Sequence, residues 1–372
     1  MVKRKLKKRK ILGIIYVLFL FTLAATVTYA IRTYNKVVVK SPDDPSITLA
    51  PTPTPDPLRI RNILLLGYAG GNHEGATLTD TMMLASIRPK ENKIILISIP
   101  RDIFVPIPIS KDNIEKHKIN HAFAIGLDDK KYPEKPDKYK GIIGAGNLSR
   151  DMVELVTGIH PDNFIAIDFQ GFIRIVDILG GVTVSVPYSF EDKYYPIEGL
   201  ENDICGKSDE DIKALHATLS GQLLEKEFTC RFETIHYDKG TETLDSENAL
   251  KFVRSRHSDI NGSDFGRSLR QQAFLVGVKN KLLSFSTLTK VIPVINTLSD
   301  HTLTDIDIQT FYEIAKDQKE IQDVSISTIS LNTDNVLIDA ISSDKQYILL
   351  PKSGEGNWDQ IHEFIKKELE KK

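Results

Sequence analysis

The sequence carries few of the residues and motifs that identify nucleic-acid-binding, zinc-binding or nucleotide-binding proteins. Its 372 residues include only two cysteines and one tryptophan, and 48 lysines and arginines nearly balance 50 aspartates and glutamates, leaving a formal net charge of −2. A balance this close to zero argues against a general nucleic-acid binder. The two cysteines and His216 and His236 follow no zinc-ligand spacing. The glycine-rich stretch 67–75 is not followed by Gly-Lys-Ser/Thr, so it is not a Walker loop.

The N-terminal segment departs from this globular composition. Residues 3–10 contain seven lysines and arginines, and residues 11–31 are uncharged and mostly apolar. At about 1.5 Å per residue, such a run is long enough to cross a hydrocarbon core of about 30 Å. The basic cluster is expected in the cytoplasm, with the rest of the chain exported. A cleaved signal peptide is the alternative, although the run exceeds the usual length of about 7–15 residues.

The predicted organisation therefore has four parts: a cytoplasmic basic segment at 1–10, a transmembrane anchor at 11–31, a linker at 32–57 and an extracytoplasmic domain at 58–372. Residues 41–57 hold six of the seventeen prolines, which favours an extended, semi-rigid spacer. The protein is expected in a bacterial cytoplasmic membrane, single-pass, with its N-terminus inside. Because the exported compartment is oxidising, a disulfide between Cys205 and Cys230 is expected.

Strand-like and helix-like stretches alternate in the exported part, which predicts an α/β layered fold. Strands are predicted at residues 59–67, 82–87, 94–99, 164–169, 182–186, 324–331 and 347–351. Helices are predicted at residues 118–127, 142–158, 170–179, 245–252, 266–283, 288–298, 305–317 and 358–369. The irregular, charged stretch 187–243 contains both cysteines and one helical candidate at 208–224. It is predicted to be a surface insertion that rims a binding cleft.

The segment 252–272 is rich in arginine. It contains Arg254, Arg256, Arg267 and Arg270 around a loop with Asp259 and Asp264. On an extended segment, the two-residue spacing of Arg254 and Arg256 would aim both at one side. Arg267, Arg270 and Gln271 are predicted to share a face near a helix N-terminus, where anions are favoured. Guanidinium groups suit phosphate oxygens, so the pattern favours an anion cradle. A solvated basic face with ion pairs to the two aspartates is the alternative.

Two further polar residues stand at the ends of predicted strands. Asp80 precedes the strand at 82–87, and Arg101 follows the strand at 94–99. Binding sites in open α/β sheets gather at strand ends. Taken singly, Asp80 is better explained as a turn-stabilising aspartate and Arg101 as a surface arginine.

Together these motifs resemble the LytR–CpsA–Psr family over residues 59–283. The resemblance is carried, in order, by ILLLG, TDTMMLASI, ISIPRD, KINHAFAIG, DFQGFIRIVDILGGVTVSVP, LDSENALKFVRSRH and DFGRSLRQQ. It implies an extracytoplasmic α/β/α layered domain with a central mixed sheet, an apolar pocket for a polyprenyl chain and a membrane anchor. The implied activity is transfer of a glycopolymer, such as teichoic acid or capsule polysaccharide, from a polyprenyl-pyrophosphate carrier to peptidoglycan or another envelope acceptor. A phosphodiester would result.

The resemblance also implies roles for particular residues. Asp80 matches an acidic residue that binds magnesium, and Asp264 and Gln271 match polar residues that complete the pyrophosphate site. The arginines that match pyrophosphate ligands are Arg101, Arg254, Arg256 and Arg267, and Arg270 lies on the same predicted helix as Arg267 in the predicted cradle. Arginines and a hard cation neutralise a pyrophosphate leaving group. Asp80 and Asp264 are the candidates for accepting the proton of the acceptor hydroxyl.

The chain departs from the family pattern in its glycine loop. Ala69 and Thr79 stand where the family usually has a metal-binding aspartate and an arginine. His73 or Glu74 is a possible substitute ligand, so the departure bears more on the metal than on the lipid pyrophosphate. Candidates for lining a lipid tunnel, or alternatively a packed core, are Phe123, Phe164, Phe169, Phe172 and Phe274.

Two other functions are compatible with the same residues. With water as the acceptor, the protein would be a pyrophosphohydrolase acting on the same lipid. A non-catalytic binding or regulatory protein of the extracytoplasmic space would instead use the arginine cradle to hold anionic envelope glycans. Direct DNA binding is disfavoured, because the arginines lie on the exported side of the predicted anchor.

Overall fold

The structure is a computed structural model that describes residues 59–71, 75–219, 222–262, 264–282, 301–306 and 324–371. The predicted basic segment, anchor and linker lie outside these residues, as do the predicted helix at 288–298 and most of the one at 305–317. Within the described part, no helix is both long and apolar enough to cross a membrane.

The described residues form fourteen strands and eight α-helices. The strands are β1 Arg61–Tyr68, β2 Thr79–Arg88, β3 Lys93–Ser98, β4 Phe104–Pro108, β5 Ile114–Lys118, β6 Asn163–Asp168, β7 Val182–Val186, β8 Phe190–Pro196, β9 Phe232–Tyr237, β10 Gly240–Leu244, β11 Thr302–Thr304, β12 Ser325–Ser330, β13 Leu337–Ile341 and β14 Tyr347–Pro351. The helices are α1 His121–Leu127, α2 Gly141–Thr157, α3 Phe169–Leu179, α4 Asp209–Thr218, α5 Gln222–Glu225, α6 Ser246–Arg254, α7 Asp264–Leu282 and α8 Asp359–Glu370.

A six-stranded mixed sheet in the order β11-β6-β1-β2-β3-β12 forms the centre. Strand β2 runs antiparallel to both of its neighbours, β1 and β3, whereas β6 is parallel to β1 and β12 is parallel to β3. Strand β11 closes the other edge antiparallel to β6. The predicted α/β fold with a central mixed sheet is therefore confirmed.

Apolar side chains alternate along the central strands, so each strand contributes to both faces of the sheet. On one face, Leu64, Leu84 and Ile97 join a core completed by α1, α2 and α8. On the other face, Met83 and Leu96 pack with side chains that include Leu275 of α7. Helices thus cover both faces of the sheet. The polar N-terminal turns of α7 lie next to the first residues of β2.

Several predicted boundaries need correction. The predicted helix at 118–127 begins only at His121, because Ile114–Lys118 is β5 and pairs with β4. The predicted helix at 208–224 is two helices, α4 and α5. The stretch 187–243 is also more regular than predicted: β8 pairs with β9, and β10 pairs with β7.

The segment between β8 and β9 is closed by a disulfide. Cys205 and Cys230 are bonded, with their Cα atoms 5.5 Å apart. The expected disulfide is therefore present, and it ties together the two ends of the part of the chain that contains α4 and α5. Because Tyr195 and Pro196 of β8 line the cavity described below, this segment adjoins the site.

Candidate functional site

A cavity of about 460 Å³ lies between the sheet and helices α3, α6 and α7. Its apolar lining comes from Leu65, Leu66, Met83, Ile165, Ile167, Phe169, Phe172, Ile175, Val176, Tyr195, Pro196, Leu250, Val253, Phe274, Leu275 and Val278. The Phe172 and Phe274 rings have their centres 4.8 Å apart. A volume of this size with a few polar groups at one end is typical of a ligand site.

The five phenylalanines singled out in the sequence divide between this cavity and the core. Phe169, Phe172 and Phe274 line the cavity. Phe123 and Phe164 are fully buried in the core on the other face of the sheet, where their ring centres lie 6.5 Å apart. Sequence alone could not separate the two groups, because both are apolar residues in regular elements.

Two arginines, one at the end of α6 and one just after it, meet at the polar end of the cavity. Arg254, at the end of α6, lies with its guanidinium carbon 4.3 Å from the centre of the Phe169 ring and donates to the Tyr195 hydroxyl at 3.4 Å. Arg256 follows two residues later and also lines the cavity. The prediction that both lie on one extended segment is wrong, because α6 extends through Arg254 and the chain leaves the helix at Ser255. That turn nevertheless brings both side chains to the same cavity.

Asp192 of β8 holds the arginine segment in place. Its side-chain oxygen Oδ2 accepts hydrogen bonds from the Ser255 hydroxyl at 2.8 Å and from the backbone N–H groups of Arg256 and His257 at 3.2 and 3.1 Å. Asp192 is only 1% exposed. Asp192 is not among the predicted site residues, because it lies in the charged stretch 187–243 and no local sequence pattern links it to residues 255–257.

The N-terminal half of α7 supplies two more residues of the site. Arg267, 6% exposed, lines the cavity, and so does Gln271 one helical turn later. The Gln271 amide donates to the Thr81 hydroxyl at 2.8 Å and to the Val253 carbonyl at 3.3 Å. These bonds connect α7 both to β2 and to α6, so the polar end of the cavity is built from three elements.

Arg270 does not line the cavity, which corrects its predicted place in the cradle. It is 0% exposed, its guanidinium donates to the Ser255 carbonyl, and the guanidinium carbon lies 4.7 Å from the centre of the Phe190 ring. Burial lowers the pKa of Arg270 from its ordinary value. At position i+3 from Arg267 it points to the α6–β8 side of the helix, whereas Gln271 at i+4 stays on the cavity side.

Asp80 and Arg101 meet at the start of β2. Asp80 lines the cavity, and its carboxylate accepts a hydrogen bond from the Arg101 guanidinium. Arg101 itself adjoins the cavity through Asp80, and its Nε lies 3.6 Å from a carboxylate oxygen of Asp102. The two strand-end residues, separated by 21 positions in sequence, are thus brought together.

The structure therefore gathers five predicted residues around one cavity: Asp80, Arg254, Arg256, Arg267 and Gln271. Arg101 adjoins them. Asp264 begins α7, but its side chain lies outside what the structure describes, and so does Glu74.

The fit of this site to magnesium depends on which carboxylates are available. Both oxygens of Asp168 are engaged, by the Gly171 N–H at 2.7 Å and by His301 at 2.8 Å. Among described residues, the one group of three potential metal ligands is Asp203 with the disulfide-bonded cysteines, away from the cavity. Magnesium usually takes one or two carboxylates plus substrate phosphates. Asp80 fits an ion of that kind, held largely by the substrate, and the described residues form no all-protein cage.

Comparison with known proteins agrees with this architecture. A sequence profile of the LytR_cpsA_psr family matches residues 26–355. The chain is 30% identical over 247 residues to the polyisoprenyl-teichoic acid–peptidoglycan teichoic acid transferase TagU of Oceanobacillus iheyensis, covering 66% of this chain and 59% of that protein. It is 25% identical over 262 residues to the protein of the same name from Enterococcus faecalis, covering 69% of this chain and 65% of that one. The matched region thus spans less than two thirds of both relatives.

A solved structure shares the fold. The crystal structure of B. subtilis TagV superposes with a TM-score of 0.54 at 22% identity, covering 85% of this chain and 99% of that chain. The profile match extends over most of the sequence and includes every cavity residue named above. The chain therefore belongs to the LytR_cpsA_psr family.

Proposed function

We propose that this protein is a membrane-anchored phosphotransferase that moves a glycopolymer from a polyprenyl-pyrophosphate carrier to an envelope acceptor such as peptidoglycan. One observation carries the proposal: a deep apolar cavity opens onto Arg254, Arg256 and Arg267. A polyprenyl pyrophosphate has this same division, with a long apolar tail and a strongly anionic head. The names of the curated relatives, which describe transfer of teichoic acid to peptidoglycan, support the same activity.

The cavity and the arginines divide the work of binding. Apolar side chains remove the polyprenyl tail from water, at about 25 cal/mol for each Å² buried. The guanidinium groups neutralise the pyrophosphate with charge-assisted hydrogen bonds, which planar arginine makes better than lysine. Asp192 accepts hydrogen bonds from the backbone N–H groups of Arg256 and His257 and so holds Arg256 in place before the substrate binds. Such preorganised charge is the main source of catalysis in phosphoryl transfer.

The proposed reaction takes place at the phosphorus that bears the glycan. The oxygen of an acceptor hydroxyl forms a bond to this phosphorus, while the bond from phosphorus to the bridging oxygen breaks. The lipid leaves as a polyprenyl phosphate that keeps the electron pair, and the glycan is left in a phosphodiester with the acceptor. The hydroxyl proton passes to a carboxylate, and Asp80 lies at the mouth of the cavity for this role. When bound, magnesium would supply further charge neutralisation beside Asp80.

The pairing of Asp80 with Arg101 brings a fourth arginine close to the proposed position of the reacting phosphate. Arg101 is about a quarter exposed, so a phosphate oxygen can reach it from the mouth. In the described structure the two side chains neutralise each other. Substrate binding is expected to draw Arg101 towards the pyrophosphate and leave the Asp80 carboxylate able to take a proton or a cation.

The test is a transfer assay with the full chain in mild detergent. The donor is a short-chain polyprenyl pyrophosphate carrying a labelled disaccharide, and the acceptor is a mixture of soluble peptidoglycan fragments. A phosphodiester-linked product, detected by mass spectrometry and lost in Arg256→Gln, supports the proposal. Arg88→Gln is the matched control, since Arg88 forms a surface ion pair with Glu91 away from the cavity.

The same assay separates the alternatives. Release of the disaccharide phosphate at the same rate with and without acceptor would identify a pyrophosphohydrolase. Retention of the donor without any turnover, weakened in Arg101→Ala and Arg256→Ala, would identify a binding protein. A folded protein that neither binds nor consumes the donor would contradict the proposal outright.

A further inference from the structure

We propose that a polar cleft beside the apolar cavity, on the other side of β2, binds the acceptor saccharide whose hydroxyl attacks the pyrophosphate. This inference rests on the proposed transfer activity and adds the place where the second substrate binds. The cleft has a volume of about 160 Å³. It shares Asp80, Thr81, Arg267 and Gln271 with the apolar cavity, so the two spaces meet at the same four residues.

The order of the strands places the cleft and the cavity on opposite sides of these shared residues. The cavity reaches over β1 and β6, which contribute Leu65, Leu66, Ile165 and Ile167. The cleft reaches over β3 and β12, which contribute Ser98 and Ser330, and extends to the β13–β14 hairpin. In the sheet, β2 stands between β1 and β3. Asp80 and Thr81 of β2 therefore form the boundary between a mainly apolar side and a side of mixed polarity, where polar groups stand beside Ile99, Leu331 and Leu349.

The chemistry of the cleft suits a sugar better than a second anion. Away from the shared residues, its polar lining consists of hydroxyls, one amide and one carboxylate: Ser98, Ser268, Ser330, Thr333, Tyr347, Asn332 and Asp339. Arg267, which the cleft shares with the cavity, is the one cationic residue among the described residues that line the cleft, and the Asp339 carboxylate would repel a phosphate. Neutral donors and acceptors with a carboxylate match the many hydroxyls of a saccharide.

Asp339 and Tyr347 form the outer wall of the cleft. The Tyr347 hydroxyl donates to Asp339 Oδ1 at 2.6 Å, joining the two strands of the hairpin. Tyr347 is 46% exposed, so its ring presents an apolar surface next to a carboxylate. Aromatic rings with a polar edge commonly contact ligands that have both apolar and polar faces, as sugar rings do.

The direction of phosphoryl transfer selects the acceptor as the occupant. In such transfers the attacking oxygen and the leaving oxygen lie roughly in line on opposite sides of the phosphorus. The leaving group is the lipid phosphate, whose tail occupies the β1–β6 side. The attacking hydroxyl must then approach from the β3–β12 side, where the cleft lies.

The experiment measures the transfer kinetics of Asp339→Asn and Thr333→Val in the full chain, with peptidoglycan fragments as acceptor. Both side chains are exposed, so neither substitution removes a core contact. The loss of one hydrogen bond to a charged group is expected to raise the acceptor KM about tenfold for Asp339→Asn. Thr333→Val is expected to raise it by about threefold, because a neutral hydrogen bond is weaker. Donor KM and donor hydrolysis in the absence of acceptor are expected to remain as in the wild type.

Asp344→Asn is the matched control. Asp344 lies at the turn of the same hairpin and accepts from the Gln346 amide at 2.6 Å, but it does not line the cleft. Its acceptor KM should equal that of the wild type.

The outcomes distinguish this inference from the proposed function. If the wild type transfers the glycan but both cleft variants keep the wild-type acceptor KM, the cleft assignment is overturned and the transferase stands. A rise in donor KM in place of acceptor KM would also overturn it, because the cleft would then hold the donor sugar. A wild type that neither binds nor consumes the donor would overturn both.

Discussion

The guanidinium carbon of Arg254 lies 4.3 Å from the centre of the Phe169 ring. This contact joins the last residue of α6 to the first residue of α3. It marks the boundary between the apolar lining of the cavity and its cationic rim, which consists of Arg254, Arg256 and Arg267. A cation stacked on an aromatic face keeps its charge while its flat side is desolvated. Arg254 is thereby held in one orientation, with its edge available to a phosphate at the mouth.

Replacement of Arg254 by lysine is expected to weaken donor binding although the charge is kept. A lysine side chain can neither stack a flat guanidinium on Phe169 nor present two parallel N–H donors to a phosphate. The two losses together weaken donor binding by about 1–1.5 kcal/mol, which corresponds to about a tenfold rise in donor KM. The measurement is donor KM in the transfer or hydrolysis assay.

Arg231→Lys provides the matched control for this substitution. Arg231 also stacks on an aromatic ring, with its guanidinium carbon 3.9 Å from the centre of the Phe228 ring, but it lies near the disulfide and outside the cavity lining. Its donor KM should be that of the wild type. An equal rise in both variants would show that the effect is not specific to the rim.

Filling the cavity is expected to exclude lipid without destabilising the protein. Val278→Phe places a larger side chain into the open space, whereas Val153→Phe adds the same bulk to a site that is 0% exposed in the packed core. Overpacking costs about 1–3 kcal/mol, so only Val153→Phe should lower Tm appreciably.

The readouts for this pair are thermal unfolding and the amount of donor bound. The single tryptophan, Trp358, is 7% exposed in the core and reports unfolding by its fluorescence. Val278→Phe should bind less donor at an unchanged Tm. If it bound as much donor as the wild type, the apolar cavity would not be the site of the tail.

Replacement of Arg270 is expected to lower the free energy of unfolding rather than to weaken donor binding. Because its guanidinium is buried and donates to the Ser255 carbonyl, Arg270→Met removes a charged hydrogen bond. The free energy of unfolding should fall by about 1.5–3 kcal/mol. Arg267→Met, at the cavity, should instead raise donor KM with a smaller loss of stability. An Arg270→Met protein as stable as the wild type but deficient in donor binding would restore Arg270 to the pyrophosphate site.

His121 is expected to make stability dependent on pH. Burial, followed by the nearby charges of His117, lowers the pKa of His121 from its ordinary value of 6.5. The folded state therefore binds this proton less readily than the unfolded state, so the contribution to stability is fully present above about pH 6.5 and is lost as the pH falls through the folded-state pKa. His121→Gln should show a smaller decrease in Tm between neutral and acidic pH. An unchanged decrease would contradict this assignment.

Much of the site was predictable because its residues lie in strong local patterns. Asp80 and Arg101 flank apolar strands, and antiparallel pairing of β2 with β3 brings those strand ends together. Gln271 and Arg267 follow from helical periodicity at i and i+4. Arg270 shows the limit of that reasoning. Periodicity predicts which residues are neighbours on a helix, but not how far around the helix the cavity extends.

Other features depended on tertiary contacts that no short pattern encodes. Strand β4 contains Pro106 and Pro108 and pairs with the mostly charged β5, so neither looks like a strand in sequence. Asp192 contacts residues 255–257, more than sixty positions away. The polar cleft depends on Asp339 and Tyr347 of a hairpin that had been only partly predicted, beside loop residues of ordinary composition.

Binding of the polyprenyl carrier in this cavity is tested by mass spectrometry of lipid extracted from the full chain after purification from a bacterial membrane in mild detergent. A polyprenyl phosphate or pyrophosphate is expected to co-purify with the wild type and to be lost in both Arg267→Met and Val278→Phe, which alter the head and tail sites separately. A folded wild type without polyprenyl lipid, also after incubation with the short-chain donor, would contradict the claim that this cavity binds the carrier.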